Sequence, residues 1–242
     1  MTEKLYLVDS YLREFTAEVV SVDMGRIVLS RTAFYPGGGG QPPDRGFLFL
    51  GNGQTLSVTG VGKMGDGEVY HEVQGGSLSV GEVVRGQIDW GLRYAHMRHH
   101  TCLHIVSGVA FKLFNARISG SQIYADRARI DFSIKDFDKS KLRVLEEESN
   151  RVVAERRRVI VRFIPRAEAL ANPDLYRLGD EAHLPLGETL RIIEIDGFDA
   201  QLDGGTHVAN TFEVGKIVFA KYENKGAANK RIEIVLENQS QT

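Results

Sequence analysis

The sequence predicts an α+β protein, with a small N-terminal β-barrel domain followed by a domain of helices on a mostly antiparallel sheet. Glycine is abundant and proline scarce, with 26 and 6 among 242 residues, which indicates many tight turns and substantial β content. Residues 1–90 read as short strands and turns. Two later segments, Tyr94–Phe114 and Asp138–Arg158, repeat apolar residues at helical spacing. We therefore place the two domains at 1–90 and 91–242.

The strands of the first domain are indicated by short apolar runs between turn residues. Glu18–Val22 and Arg26–Ser30 flank Asp23-Met24-Gly25, which is a hairpin signal. Three further candidates follow at the even spacing of a small barrel or sandwich, and they are Leu56–Val61, Glu68–Val73 and Val83–Asp89.

A glycine-rich segment interrupts these strands. Gly37, Gly38, Gly39 and Gly40 stand between Pro36 and Pro42, a composition that favours a loop over a strand or helix. Bare backbone amides in such a loop could face a ligand. The segment has no Gly-Lys-Ser/Thr and no following helix, so it is not a phosphate-binding loop of the Walker type. Composition alone favours a flexible connector over a ligand-binding loop.

The second domain alternates helices and strands. The helix Asp138–Arg158 has an apolar stripe of Leu142, Leu145, Val152 and Val153. It ends in Arg156-Arg157-Arg158, where cations favour a helix C-terminus and would also suit contact with a nucleic-acid backbone. The predicted strands are Arg117–Tyr124, Arg127–Ser133, Val159–Ile164, Thr189–Ile195, Lys216–Tyr222 and Arg231–Leu236.

Histidines cluster on the first predicted helix. His100 and His104 are four residues apart, so a helix directs both imidazoles to one side. Zinc accepts neutral histidine nitrogens at about 2.0–2.1 Å and takes about four ligands. His96 lies one turn earlier on the same face, so spacing alone leaves open which pair would bind a metal. Ordinary packing or solvated histidines would give the same pattern.

A second pair with the same spacing lies near the other end of the chain. Asp203 and His207 flank Gly204-Gly205-Thr206, and a carboxylate and an imidazole are both acceptable zinc ligands. Two pairs about a hundred residues apart are what one four-coordinate site closed by folding would look like. Read separately, the second pair also fits a plain Asp-Gly-Gly turn followed by a surface histidine.

Composition restricts compartment and partners. Cys102 is the one cysteine, which excludes an internal disulfide, fits a reducing cytoplasm, and is expected to be a small buried side chain. We find neither a signal peptide nor an apolar run long enough for a membrane helix. Net charge is −2, but residues 91–163 contain 15 lysines and arginines against 8 acidic residues. That local excess is compatible with contact to a phosphate backbone.

Together, three motifs resemble one known family. His100-Thr101-Cys102-Leu103-His104 and Gly204-Gly205-Thr206-His207-Val208 are similar to the H-x-x-x-H and C-G-G-T-H motifs of the alanyl-tRNA synthetase editing domain and its free-standing AlaX relatives. Phe34–Gln41 resembles the family's F-Y-x-x-G-G-G-Q segment. Asp203 stands where the family usually has cysteine, and this harder ligand puts zinc affinity and metal identity in question.

The resemblance implies an aminoacyl-tRNA deacylase with one zinc ion held by His100, His104, Asp203 and His207. Its substrate would be tRNA(Ala) mischarged with serine, and also glycine, because a synthetase pocket rejects such small differences poorly. The family places the glycine-rich loop over the zinc site. By that likeness Thr32 and Gln41 are candidate catalytic side chains beside the aminoacyl group, and Gly38, Gly39 and Gly40 are candidate substrate contacts.

Two rival functions remain. A zinc protease of the H-E-x-x-H kind needs a glutamate directly after the first histidine, and Thr101 occupies that position. A non-catalytic tRNA-binding module with a degenerate metal site would keep the fold and lose the hydrolysis. Metal analysis and a deacylation assay separate this module from an editing enzyme.

Overall fold

The computed structural model describes residues 1–65, 67–176, 187–226 and 229–238. They form two compact units, Met1–Ala95 and His96–Thr242. The predicted α+β class is confirmed, since a closed six-stranded barrel is followed by antiparallel sheets with helices. The assignment of separate roles to domains 1–90 and 91–242 stays a prediction.

The first unit is built around the barrel, in which the strands follow the order β2-β3-β7-β6-β5-β8. Its strands are β1 (Glu3–Lys4), β2 (Glu14–Asp23), β3 (Arg26–Leu29), β4 (Arg31–Thr32), β5 (Gly46–Leu50), β6 (Thr55–Lys63), β7 (Val69–Gln74) and β8 (Val83–Ile88). β1 and β4 pair in parallel beside the barrel. Alternate side chains of the barrel strands point inward and form one apolar core, as Phe15, Ala17 and Val19 do on β2.

The predicted hairpin is confirmed. β2 and β3 pair in antiparallel register around Met24 and Gly25, which both have positive φ, at 46° and 79°. Two consecutive residues with positive φ characterise the tight hairpin turn whose twist matches its strands.

Strand β5 was missed because its outward side chains, Phe47 and Phe49, are apolar and hide the alternation. The guanidinium carbon of Arg85 lies over the Phe49 ring, 4.2 Å from its centroid.

The glycine-rich segment is held at both ends. Gly37 to Gly40 all have positive φ, and the backbones of Gly38 and Gln41 bond to each other in both directions. The amide of Tyr35 donates to the Asp44 carboxylate (2.6 Å), and its hydroxyl donates to the Gly38 carbonyl (2.9 Å). These contacts fix the loop to its own flanks.

Arg93 anchors the same segment from beneath. This completely buried guanidinium donates to the Asp44 carboxylate through Nε (2.9 Å) and through Nη2. Nη1 also donates to the backbone carbonyl of Ser10, and Nη2 to that of Ala33. Every nitrogen of the buried guanidinium therefore donates at least one hydrogen bond, and such bonds are what makes a buried charge tolerable.

The helix α1 (Trp90–Phe114) contains the boundary between the units. It begins four residues before its predicted start because Asp89 accepts the Leu92 amide (3.1 Å), as a helix N-cap does. The remaining elements are β9 (Arg117–Ile123), β10 (Ala128–Ser133), α2 (Lys139–Ala154), β11 (Val159–Pro165), α3 (Arg166–Leu170), β12 (Thr189–Ile195), β13 (Asp199–Leu202), β14 (Lys216–Asn224) and β15 (Asn229–Glu237). One sheet has the order β14-β15-β10-β9 and another β11-β12-β13.

The predicted extent of α2 was wrong at its C-terminus. The helix ends at Ala154, with Glu155 as its C-cap, and Arg156 has a φ of 54°. Arg156 stacks over the Phe212 ring at 3.8 Å, and Arg157 donates to the Asp196 carbonyl (2.7 Å). These contacts draw Arg156 and Arg157 out of the helix. Among the residues described, no helix has the length and apolar character needed to cross a membrane.

Candidate metal centre

Four side chains of the second unit converge at one point. His100 and His104 come from α1, while Asp203 and His207 come from the segment after β13. Each offers one ligand atom, and these atoms all lie within 4.8 Å of one another. The imidazole rings of His100 and His207 are 4.3 Å apart between centroids, and those of His104 and His207 are 4.7 Å apart. The group could therefore hold one metal ion.

Hydrogen bonds to Asp203 shape the turn that carries the second pair. Its Oδ1 accepts the amide of Gly205 (2.6 Å), and its own carbonyl accepts from Nη1 of Arg191 (2.7 Å). A Cβ at Gly204 would meet no atom within 4 Å, so close backbone approach does not explain that glycine. The buried guanidinium of Arg191 and strand β13 together fix the position of Asp203.

Several separations within the group are near those between the donors of a tetrahedral ion. Ligand atoms at about 2.1 Å from a tetrahedral ion are about 3.4 Å from each other. Asp203 Oδ1 is 3.0 Å from His207 Nε2, while Oδ2 is 3.4 Å from His100 Nε2 and 3.9 Å from His104 Nε2. Three neutral imidazoles and one carboxylate are a donor set that zinc accepts.

The protonation states also suit metal binding. Burial lowers the pKa of His207 well below its usual value, and the neighbouring His100 acts in the same direction. Burial raises the pKa of Asp203, but its interactions with His100, His104 and His207 hold that pKa well below the ordinary range. The carboxylate is thus ionised and His207 neutral, the states in which both can act as ligands.

The structure shows which of the helix histidines belong to the candidate metal-binding group, a choice that the sequence left open. Within the described part of the chain, the metal-ligating group contains His100 and His104 but not His96, although all three are buried. Cys102 is completely buried, and burial raises the pKa of its thiol. Its packing position agrees with the expectation from sequence.

Thr101 also belongs to this site. In the sequence it was considered only because it stands where a zinc protease has its glutamate. Its hydroxyl lies 3.1 Å from His207 Nδ1 and accepts the Val208 amide (3.2 Å). Arg191 was not considered at all. No spacing in the sequence marks either contact. Thr101 and His207 are about a hundred residues apart, and Arg191 and Asp203 are about ten apart, so only folding brings each pair together.

The other candidate residues lie in the first unit. Thr32 is completely buried, and its hydroxyl is 2.8 Å from His71 Nε2. Gln41 is also buried, whereas Gly38 and Gly39 are exposed and Gly40 is half-buried. Their roles beside a substrate stay predictions.

Two family models match the chain. Residues 4–92 match the class II (A) tRNA synthetases, and residues 190–233 match the second additional domain of threonyl and alanyl tRNA synthetases. The alanyl-tRNA editing protein AlaX-M of Saccharolobus solfataricus is 44% identical over 233 residues, covering 96% of this chain and 98% of the relative. The chain belongs to the AlaX-M family.

Further relatives agree with that assignment. The AlaX-M protein of Methanosarcina mazei is 40% identical over 250 residues, covering 99% of this chain and 98% of the relative. The alanine–tRNA ligase of Pyrococcus abyssi is 40% identical over 225 residues, which are 92% of this chain but 24% of the ligase. An AlaX-M chain thus corresponds to one part of the much longer ligase.

Proposed function

We propose that the protein is a trans-editing hydrolase that deacylates mischarged tRNA(Ala), chiefly seryl-tRNA(Ala) and also glycyl-tRNA(Ala), at a single zinc site. The observation that carries this proposal is the buried convergence of His100, His104, Asp203 and His207 in a member of the AlaX-M family. The relatives named as editing proteins match over nearly their full length, which supports an activity residing in this chain alone.

The four side chains would act as two kinds of ligand for the ion. His100, His104 and His207 supply neutral nitrogens, and Asp203 supplies the one negative charge. When bound, the zinc ion would supply Lewis-acid chemistry, either activating a water molecule or holding the α-amino group of the substrate. Side-chain exposures of 2–12% at the four residues keep competing bulk water away from the ligand atoms.

The glycine-rich segment and its neighbours are proposed to contact the aminoacyl group. Gly38, Gly39 and Gly40 would offer backbone amides, and Gln41 a side-chain amide. Thr32 is the candidate reader of the serine hydroxyl. A site that hydrogen-bonds a substrate hydroxyl discriminates far better than an apolar pocket, so correctly charged alanyl-tRNA(Ala) would largely be spared.

The test is deacylation of seryl-, glycyl- and alanyl-tRNA(Ala), measured with the purified protein before and after treatment with a chelator. We expect hydrolysis of the first two, little hydrolysis of the third, and restoration of the lost rate by added zinc. Binding of tRNA(Ala) without hydrolysis of any ester, in zinc-loaded protein, would identify a binding module instead.

A further inference from the structure

Thr101 lies between two proposed ligands in the sequence but touches a third in the fold. On α1 it is one residue after His100, and its side chain is completely buried. Its hydroxyl oxygen is 3.1 Å from Nδ1 of His207. The same oxygen accepts the amide of Val208 at 3.2 Å. One side chain of the helix thus contacts both the imidazole and the backbone of the segment that carries the second ligand pair.

We propose that Thr101 is a positioning residue of the metal centre, which fixes the ring orientation of His207 so that Nε2 faces the ion. The inference rests on the proposed zinc site and concerns the affinity of that site rather than its substrate.

The argument for the tautomer starts from the two ring nitrogens. A neutral imidazole has one N–H and one lone pair, and a metal ligand must present the lone pair. His207 Nε2 is the nitrogen that faces the other ligands, at 3.0 Å from Asp203 Oδ1. The proton must then reside on Nδ1, where it needs an acceptor. Partners at the second nitrogen commonly fix the orientation of a ligating histidine.

A hydroxyl is suited to this role because it can either donate or accept a hydrogen bond. Without an ion, Nε2–H of His207 can donate to Asp203 Oδ1, and the Thr101 hydroxyl then donates to Nδ1. With an ion, Nδ1–H donates to the hydroxyl oxygen, whose other lone pair accepts the Val208 amide. The ring keeps one orientation in both states, so the ligand is preorganised before the ion arrives.

The experiment compares zinc affinity in three variants of the full-length chain. Thr101→Val keeps the shape of the side chain and removes both bonds, and we expect zinc binding to weaken by about 10–100-fold. Thr101→Ser keeps the hydroxyl and should stay within about threefold of the parent. Competition with a chromophoric chelator, in the absence of tRNA, measures the dissociation constant directly.

Thr211→Val is the matched control for loss of stability. Thr211 is another completely buried threonine of this unit, whose hydroxyl donates to the Val152 carbonyl and accepts the Arg157 amide, away from the ligands. We expect this variant to lower the thermal stability of the zinc-free protein while the zinc dissociation constant stays unchanged. An equal loss of zinc affinity in both variants would show that Thr101 acts only through the fold.

Nitrogen-15 spectra of labelled histidine give a second, independent readout. In the zinc-loaded parent we expect His207 to be protonated at Nδ1 and unprotonated at Nε2. Protonation at Nε2 in the loaded protein, or unchanged affinity in Thr101→Val, would overturn the proposal. A clear affinity loss in a protein that hydrolyses no ester would leave this inference intact and refute the proposed function alone.

Discussion

The Nε2 atom of His71 lies 2.8 Å from the hydroxyl oxygen of Thr32, inside the first unit. The other ring nitrogen, Nδ1, is 3.0 Å from the carbonyl of Ile27, which can only accept, so Nδ1 carries the proton. Nε2 must then accept the Thr32 hydroxyl proton. The oxygen of Thr32 already accepts the Phe34 amide (3.1 Å) and retains one lone pair. A substrate group read by Thr32 must therefore be a donor, as the hydroxyl of serine is.

The first prediction concerns that lone pair. Thr32→Val removes it while keeping the shape of the side chain, so hydrolysis of seryl-tRNA(Ala) should fall by about tenfold relative to glycyl-tRNA(Ala), the effect of one hydrogen bond. Steady-state rates on the two esters measure the ratio. Thr32→Ser is the control and should keep the preference. An equal loss on both esters would mean that Thr32 does not read the serine side chain.

The second prediction concerns the pH dependence of stability. Burial, partly offset by the bond to Ile27, lowers the pKa of His71 to about 4. In the unfolded chain the pKa of His71 is the ordinary value of about 6.5, so between about pH 6.5 and 4 the unfolded chain binds more protons than the folded one. The stabilisation of the fold by neutral His71 is therefore complete above about pH 6.5 and is lost as the pH falls towards 4. At pH 4.5 the loss amounts to about 2 to 3 kcal/mol.

Urea unfolding of zinc-free protein from pH 7.5 to 4.5 checks that value. The variant His71→Gln keeps an acceptor near Thr32 but has no group that titrates there. Its free energy of unfolding should decline less on acidification than that of the parent, by the same 2 to 3 kcal/mol or so. Parallel curves for the two proteins would show that His71 is not the group responsible.

The third prediction concerns the buried pair of Arg93 and Asp44. Asp44→Ala leaves the guanidinium buried without its counter-charge, which should lower the free energy of unfolding by about 3–5 kcal/mol. The exposed pair of Glu3 and Arg31 provides the comparison, and Glu3→Gln should cost less than about 1 kcal/mol. Chemical denaturation of both variants gives the two values. Similar small losses would indicate that water relieves the charge on Arg93.

The fourth prediction concerns the carboxylate in place of the usual cysteine. A thiolate is a softer ligand of the same charge, so Asp203→Cys should retain or raise bound zinc, whereas Asp203→Ala should lower both zinc content and deacylation. Metal analysis and ester hydrolysis are measured on the same preparations. Were alanine to leave both unchanged, Asp203 would be a turn residue, and the fourth ligand would be water or another side chain.

The sequence predicted local patterns better than contacts between them. The spacing of four residues was enough to propose a pair of ligands on the first helix and to pair Asp203 with His207, because helix geometry and a short turn are local properties. The spacing could not decide whether His96 or His104 is the ligand that pairs with His100, since this depends on where the end of β13 positions Asp203. β13 itself was missed, being four residues long and lacking a clear alternation.

The contacts that support the site were beyond sequence reasoning for a related reason. Thr101 and His207 are 106 residues apart, and His71 and Thr32 are 39 apart, so only the folded chain reveals that they bond. The true end of α2 also depended on tertiary contacts. Arg156 and Arg157 have good intrinsic helix propensity, but stacking on Phe212 and bonding to Asp196 outweigh it.

Closure of the barrel has a consequence for self-association. Every strand from β2 to β8 in the ring has two hydrogen-bonded neighbours, so the ring presents no open edge on which another chain could add a strand. The four-stranded sheet of the second unit ends instead at β14 and β9, and the three-stranded sheet ends at β11 and β13. Destabilising variants that loosen the second unit are therefore the ones expected to aggregate through sheet edges, whereas variants confined to the ring must first break it open.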